Sequence, residues 1–330
     1  MLVSNAGNRY LIAMDFKRLA NFVRIAEVGS ISRAAERMRI AQPALSRQMQ
    51  ILEEEVGVPL FARHRRGMAL TEAGEELRSR LVGPLRQIEQ VFEDVRALSQ
   101  EVGGNIAFGM PPTASYVLAG PLARSVVAHA PNVSLRVVEG YGAHLIDWLQ
   151  RGEIDAALLY GPASDFQLKA EDLLHEEIRL VGPPASDLDP ATPVAFEKLA
   201  GLPMVLPSHP HGLRIVADNA AAKAKIRLDV RFQADSFVLM KELVESGLGY
   251  TLLPLSSFSR EAEAGRLRHA PLEKPTVARQ LILVTQPGHS VTRAARVLGT
   301  LVRREIAALV AAGRWTAHLM YDPEDYPAPK

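Results

Sequence analysis

Gln42, Ser46, Arg47 and Gln50 stand four, one and three positions apart within SISRAAERMRIAQPALSRQMQILEEE, the stretch from Ser30 to Glu55. On a helix that spacing gathers two amides, a hydroxyl and a guanidinium on one face. Such groups donate to and accept from base edges and phosphates, and a helix of ordinary width enters the major groove of B-form DNA. Ser32 and Arg33 precede this face, and Arg63, Arg65 and Arg66 follow it, adding groups suited to the sugar-phosphate backbone. The chemistry is recognition rather than catalysis. The chain has no cysteine, which excludes disulfides, thiolate metal sites and a cysteine nucleophile. No glycine-rich phosphate loop, HExxH or GxSxG occurs, so no enzyme, metal or cofactor is expected.

Two short amphipathic helices must carry these side chains. Ser32 can cap the first, whose Ala34, Ala35 and Met38 share a face. After Arg39 the chain turns, and Pro43 suits the first position of the second helix because it lacks an N–H. Leu45, Met49, Leu52 and Val56 then make a buried stripe opposite the polar face. The pair by itself fits a purely structural αα-hairpin equally well. Its flanks favour DNA. Upstream, Asp15 can cap a helix with Leu19, Phe22, Val23 and Ala26 facing inward, and Gly29 can end it. Downstream, Leu60 and Phe61 lead into a hairpin with the basic tip Arg63 to Gly67, then Met68 and Leu70. Three helices and a basic wing describe a winged helix-turn-helix. Net charge over the 330 residues is only +1, but Asp15 to Thr71 holds ten Lys and Arg against six Asp and Glu. Affinity for nucleic acid therefore comes from local clustering.

The run FKRLANFVRIAEVGSISRAAERMRIAQPALSRQMQILEEEVGVPLFARHRRGMALTEAG resembles the DNA-binding domain of LysR-type transcriptional regulators. The resemblance rests on AAxRM, QPALSRQ, LEEEVGxPLF and the LTEAG that opens the next helix. It implies that Gln42, Pro43, Ser46 and Arg47 open the recognition helix and meet DNA. Ala41 departs from the pattern, since the family often has a serine there and a capping or phosphate-binding hydroxyl is lost. Farther on, KELVESGLGYTLLP from Lys241, LLYGP from Leu158 and LPSHPHGLR from Leu206 resemble the branch concerned with nitrogen-assimilation control.

Beyond the wing, Leu77, Leu81, Leu85, Ile88, Phe92, Val95 and Leu98 recur mainly three and four apart, a coiled-coil seam. About 30 helical residues rise about 45 Å, more than a small winged domain covers, so residues 72–102 are read as a dimerising linker, bent near Gly83 by Pro84. A helix packed only on its own domain is the competing reading. Gly103 and Gly104 mark a boundary, after which apolar strand-like runs alternate with helical stretches through residue 313, as in parallel sheets wrapped by helices. The pattern leaves open one large sheet or two small ones. The resemblance implies two α/β subdomains, like those of periplasmic binding proteins, joined by strands crossing near residues 160–167 and 271–280. Residues 1–13 are an expected extension, with Met14 an alternative start, and residues 314–330 a loosely held tail. No run is long and apolar enough to span a bilayer and no signal-peptide pattern opens the chain, so a cytoplasmic location is expected.

In open α/β sheets, ligands sit beyond the carboxyl ends of strands, where helix N-termini carry partial positive charge. The turns there offer Thr113, Ala114 and Ser115; Tyr141 and Gly142; Ser208, His209 and His211; and Ser236, with Tyr160 at a strand end. They suit a carboxylate or another small anion. Helix capping accounts equally well for Thr113, Ser115 and Ser236, and a solvated loop or subunit contact for the histidines. Asp235 counts against a simple anion site. The resemblance favours an effector bound between the subdomains. The expected protein is a sequence-specific, homotetrameric transcriptional regulator with DNA, RNA polymerase and a small effector as partners. An effector-independent or architectural DNA-binding protein is the alternative.

Overall fold

The computed structural model describes residues 15–64, 67–97, 102–161, 168–285 and 292–327. Two compact units divide between Glu93 and Asp94, with Arg151–Glu153 grouped with the first.

In the first unit, α1 (Phe16–Val28), α2 (Ile31–Met38) and α3 (Gln42–Val56) precede the antiparallel hairpin of β1 (Phe61–His64) and β2 (Gly67–Leu70) and the long α4 (Glu72–Ala97). Asp15 caps α1, its Oδ1 accepting from Lys17 N at 2.9 Å, and Gly29 ends it at φ 64°. The cap of α2 is Ser30, whose Oγ accepts from Arg33 N, and not the expected Ser32, which lies inside the helix and is exposed. Ser30 has the extended backbone that a cap requires. Pro43 takes the second position of α3, after Gln42, and Ala41 caps it with no side-chain bond. Leu45, Met49 and Leu52 are buried as expected, with Leu19, Phe22, Ile25, Ala34, Ala35 and Leu60. Val56 is exposed, because α3 has by then run past the three-helix core. The first half of the α4 seam, Leu77, Leu81 and Leu85, packs against this same core, whereas Val91, Phe92 and Val95 are more than 60 % exposed.

The second unit holds two subdomains. In the first, β3 (Gly103–Met110) pairs in parallel with β4 (Asn132–Glu139) and β5 (Ala156–Tyr160), with α5 (Pro112–His129) and α6 (Gly142–Gln150) as connections. The fourteen-residue β6 (Lys169–Gly182) belongs to both. In the second, β7 (Val194–Ala195), β8 (Pro203–Leu206), α7 (Gly212–Lys223), β9 (Asp229–Gln233), α8 (Phe237–Glu245), β10 (Thr251–Pro254), α9 (Ser259–Glu263), β11 (Arg268–Ala270) and β12 (Leu272–Glu273) follow in order. The chain then returns through β13 (Ala278–Thr285) to the first sheet, covers it with α10 (Arg293–Ala311), and ends its regular structure with β14 (Ala317–Leu319). Two cores result. One gathers Leu180, Phe196, Val205 and Phe258, the other Phe108, Leu118, Leu158 and Leu301.

The first crossing lies within β6 rather than at residues 160–167. Residues up to Glu177 pair with β13, while Ile178 to Gly182 pair with β10 and β11. A single strand that buries Leu173, Leu174, Ile178 and Leu180 passes between the two cores without a loop. Residues 162–167 lie outside the described residues, as do residues 1–13. The chain returns to the first sheet between β12, which ends at Glu273, and β13, which begins at Ala278. The C-terminal segment is not a loose tail. Trp315 is fully buried and β14 pairs with β6, because the indole has both an apolar core to enter and a buried carboxylate for its N–H.

Candidate nucleic-acid interface and effector cleft

The polar face of α3 is open. Gln42, Pro43, Arg47 and Gln50 are exposed and Ser46 is half-buried, with Gln42 Nε2 donating to Ser46 Oγ at 3.1 Å. Ser32 and Arg33 are exposed on α2. Arg63 stands in β1 opposite Met68, while Arg65 and Arg66 lie outside the described residues. The residues that aim α3 are ones sequence reasoning missed. Asn21, buried in α1, donates from Nδ2 to Gln48 Oε1 at 2.7 Å. A buried amide must be bonded, so this pair fixes the rotation of α3 with Gln48 toward α1 and Arg47 outward. Glu53 Oε1 accepts from Leu60 N at 2.8 Å and Phe61 N at 3.1 Å, tying the end of α3 to the root of the wing. The first signal was visible, since Asn21 is a polar residue between Leu19 and Phe22 in an otherwise apolar stripe.

In the second unit the strand-to-helix turns of the two subdomains meet. Tyr141, after β4, donates its hydroxyl to the Asp235 carbonyl, and its ring meets His211 edge-on with centroids 4.7 Å apart. Asp235 Oδ1 accepts from Ser208 N at 2.8 Å and from Ser208 Oγ at 2.7 Å. These two bonds hold its carboxyl below the usual range. His211 caps α7, its Nδ1 accepting from Leu213 N at 3.1 Å. That ring nitrogen must therefore be unprotonated, and burial, with the Arg279 charge second, lowers the imidazole pKa.

Deeper in the second unit, Arg279 of β13 organises the polar groups. Its Nη2 donates to Thr113 Oγ1 and to the Tyr160 hydroxyl, both at 2.9 Å, and its guanidinium lies 3.5 Å from the Tyr160 ring centroid. Glu176 of β6, 1 % exposed, neutralises it at 2.6 Å. The same carboxylate accepts from Trp315 Nε1 at 2.9 Å through its other oxygen, which Ser256 Oγ approaches at 3.4 Å. Burial is the main cause that raises the Tyr160 pKa, keeping that phenol protonated.

Residues 16–75 match the family described as bacterial regulatory helix-turn-helix protein, lysR family, and residues 99–307 match the LysR substrate binding domain. The chain belongs to the LysR family. This LysR chain is a DNA-binding transcriptional regulator with an effector-binding domain, not an enzyme. It is 32 % identical over 305 residues to the HTH-type transcriptional regulator BbuR of Bordetella bronchiseptica, covering 92 % of this chain and 94 % of that one. It is 33 % identical over 245 residues to the nitrogen assimilation regulatory protein nac of Escherichia coli, covering 74 % and 79 %. Among solved structures, a full-length OxyR variant from Pseudomonas aeruginosa shares the fold with a TM-score of 0.69 at 21 % identity, over 94 % of this chain and 99 % of that one. Full-length CbnR complexed with its target DNA shares it with a TM-score of 0.67 at 18 % identity, over 88 % and 100 %. Among the described residues no helix is long and apolar enough to cross a membrane, and no cluster suits a metal ion.

Of the cleft residues expected in this LysR effector domain, Thr113 and Tyr160 meet at Arg279, and Tyr141, Ser208 and His211 meet around Asp235. Gly142 opens α6 beside Tyr141 and is exposed, and Ser236 precedes α8 with no side-chain cap bond. Three expectations need correction. Ala114 has no exposure and belongs to the core, since the face of α5 that packs on the sheet takes it inward. Ser115 bonds Glu139 and the Pro112 carbonyl, so its hydroxyl is already engaged. His209 turns to α7, where its Nε2 stands 3.1 Å from Asp218, drawn there by the carboxylate that also holds Arg214. Asp235, its carboxyl pKa lowered by the two Ser208 bonds, keeps its charge and still counts against a simple anion site. Arg279, the cation of the cleft, was overlooked because it sits inside a strand rather than in a turn.

Proposed function

We propose that this regulator binds a two-part operator as a homotetramer, with the exposed face of α3 in the major groove and the wing over the phosphates. A small anionic effector between the two α/β subdomains changes the spacing or bend of the bound DNA, and contact with RNA polymerase, or its exclusion, sets transcription. The whole acts in the cytoplasm. The observation that carries this reading is the open polar face of Gln42, Pro43, Arg47 and Gln50, aimed outward by the buried Asn21–Gln48 bond. Pairing through α4 is supported by Val91, Phe92 and Val95, an exposed apolar stripe at helical spacing. For the effector, the supporting group is Arg279 with Thr113 and Tyr160, a guanidinium paired with Glu176 and bonded to two hydroxyls. A coupling of roughly 1 to 3 kcal/mol between effector and DNA binding suffices for several-fold to more than hundredfold control.

The first test is selection of bound genomic fragments, followed by footprinting. Arg47→Ala is expected to weaken the selected operator by about 1–3 kcal/mol with unchanged melting behaviour; unchanged binding would remove the recognition-helix assignment. Thr113→Ala with Ser208→Ala is expected to abolish an effector-induced change of footprint, and a fully responsive double variant would move the effector elsewhere. One observation favours the alternative of effector-independent action: Tyr141, Ser208 and Asp235 already satisfy one another across the subdomains. Under that reading, the footprint of the unsubstituted chain is the same in cell extract and in buffer.

A further inference from the structure

A cavity of about 650 Å³ is lined by residues other than Tyr141, Asp235 and Arg279. Four chain segments line it, His269 of β11 among them. Tyr116 and Val117 come from α5, Ser256, Ser259 and Arg260 from the start of α9 and the turn before it, and Arg314 and Thr316 from the segment between α10 and β14. It lies on the Trp315 side of the Glu176 carboxylate. Ser256, which lines it, approaches the Glu176 oxygen that accepts from Trp315, while the other oxygen serves Arg279.

The charge balance of this cavity is specific. Arg260 and Arg314 supply two cations, and among the described residues neither makes an ion pair; the guanidinium of Arg260 lies 5.6 Å from the Tyr116 ring centroid. Glu263 is the one carboxylate in the lining. The neighbouring Glu261 is spoken for, held at 2.6 Å by the buried Lys241 and also approached by Arg266. With His269 neutral, its imidazole pKa lowered mainly by burial, the lining carries one net positive charge. The remainder is amphipathic, with Tyr116, Val117 and Leu255 as an aromatic and aliphatic wall and the hydroxyls of Ser256, Ser259 and Thr316 as polar partners. Its volume lies in the range of small-molecule sites, and its lining is as polar as it is apolar and partly open to solvent. A guanidinium matches the geometry of a carboxylate or a phosphate, and an apolar wall beside it favours the carboxylate of an amphipathic molecule.

We infer that this cavity is a second small-molecule site, taking an amphipathic monocarboxylate whose apolar body lies on Tyr116 and Leu255 and whose carboxylate meets Arg260 and Arg314. Its occupant bridges both subdomains and the C-terminal segment, so it fixes the angle between the subdomains at β6. The site stands apart from the cleft proposed above and does not depend on an effector binding there.

Trp315 provides the readout, being buried between the lining residues Arg314 and Thr316, and the chain has only one other tryptophan, Trp148. In the full chain carrying Trp148→Phe, titration with phenylacetate is expected to give a saturable change in Trp315 emission, with phenylacetamide at least tenfold weaker. Arg260→Gln with Arg314→Gln is expected to weaken phenylacetate at least tenfold, whereas Ser208→Ala leaves it unchanged. Equilibrium dialysis of labelled phenylacetate with the unsubstituted chain is expected to return the same affinity. Absence of saturable binding by both methods overturns the proposal, as does full affinity in the double arginine variant. Loss of binding in Ser208→Ala assigns phenylacetate to the other cleft and equally overturns it, and inorganic phosphate competing at equal concentration overturns the carboxylate assignment.

Discussion

Glu176 makes more of the effector domain cohere than any residue the turns advertise. Its two oxygens serve Arg279, Trp315 and Ser256, which come from a hinge-side strand, the C-terminal segment and the second subdomain. A buried pair of this kind is weak grounds for net stability, yet breaking one side leaves an uncompensated charge. Glu176→Gln keeps the shape and removes the charge, and is expected to destabilise the chain by about 3–5 kcal/mol in urea unfolding. A cost below about 1 kcal/mol would mean that Arg279 finds another partner. Arg47 is the opposite case. It is exposed and touches nothing that holds the fold, so its loss should register in DNA binding and leave melting unchanged.

At the scale of elements, helices and strands are aimed by polar pins placed among apolar stripes. Asn21 pins α3 to α1, Glu53 pins α3 to the wing, and Thr71 bonds both the Pro59 carbonyl at 2.7 Å and the Gly74 N–H at 3.0 Å where α4 begins. The segment that closes the first sheet, β14, is held by its Trp315 anchor. Trp315→Ala is expected to cost about 3–5 kcal/mol by leaving a cavity. Trp315→Phe keeps most of the volume and loses one bond to a charged acceptor, about 1.5–3 kcal/mol. If thermal melts place both variants within 1 °C of the unsubstituted chain, the segment contributes nothing to the core.

At the scale of the effector domain as a whole, the Tyr141, Asp235 and His211 contacts join the two subdomains, and they carry a pH dependence. The His211 pKa is lowered from its ordinary 6.5 by burial and by Arg279. The unfolded chain therefore binds the proton more readily than the folded one, so stability is full above pH about 6.5 and falls as pH drops below it. Asp235 and Glu261 are shifted down as well, and their contributions are present above the ordinary carboxylate range and lost only at lower pH. His269, lowered by burial and Arg179, adds to the histidine window. His211→Gln is expected to flatten, without abolishing, the decline in urea midpoint between pH 7.5 and 5.5. An unchanged slope would assign the whole decline to other groups.

The sequence by itself determined the local matters: the helix-turn-helix and its polar face, the alternation of strands and helices, and the turns where Thr113, Tyr141, Ser208 and His211 stand. Each follows from spacing and from residue types that act on their near neighbours, so periodicity, caps and family resemblance reached them. Only the tertiary structure decided which of those turns meet, that Ala114 and Ser115 turn inward, that the crossing lies within β6, and that Trp315 anchors what composition marks as a tail. Those outcomes depend on partners far apart in the chain, Arg279 with Glu176 and Thr113, or Tyr141 with Asp235. A charge or hydroxyl carries no sign in sequence of which distant group will satisfy it, and burial alone, by making satisfaction obligatory, selects the pairing.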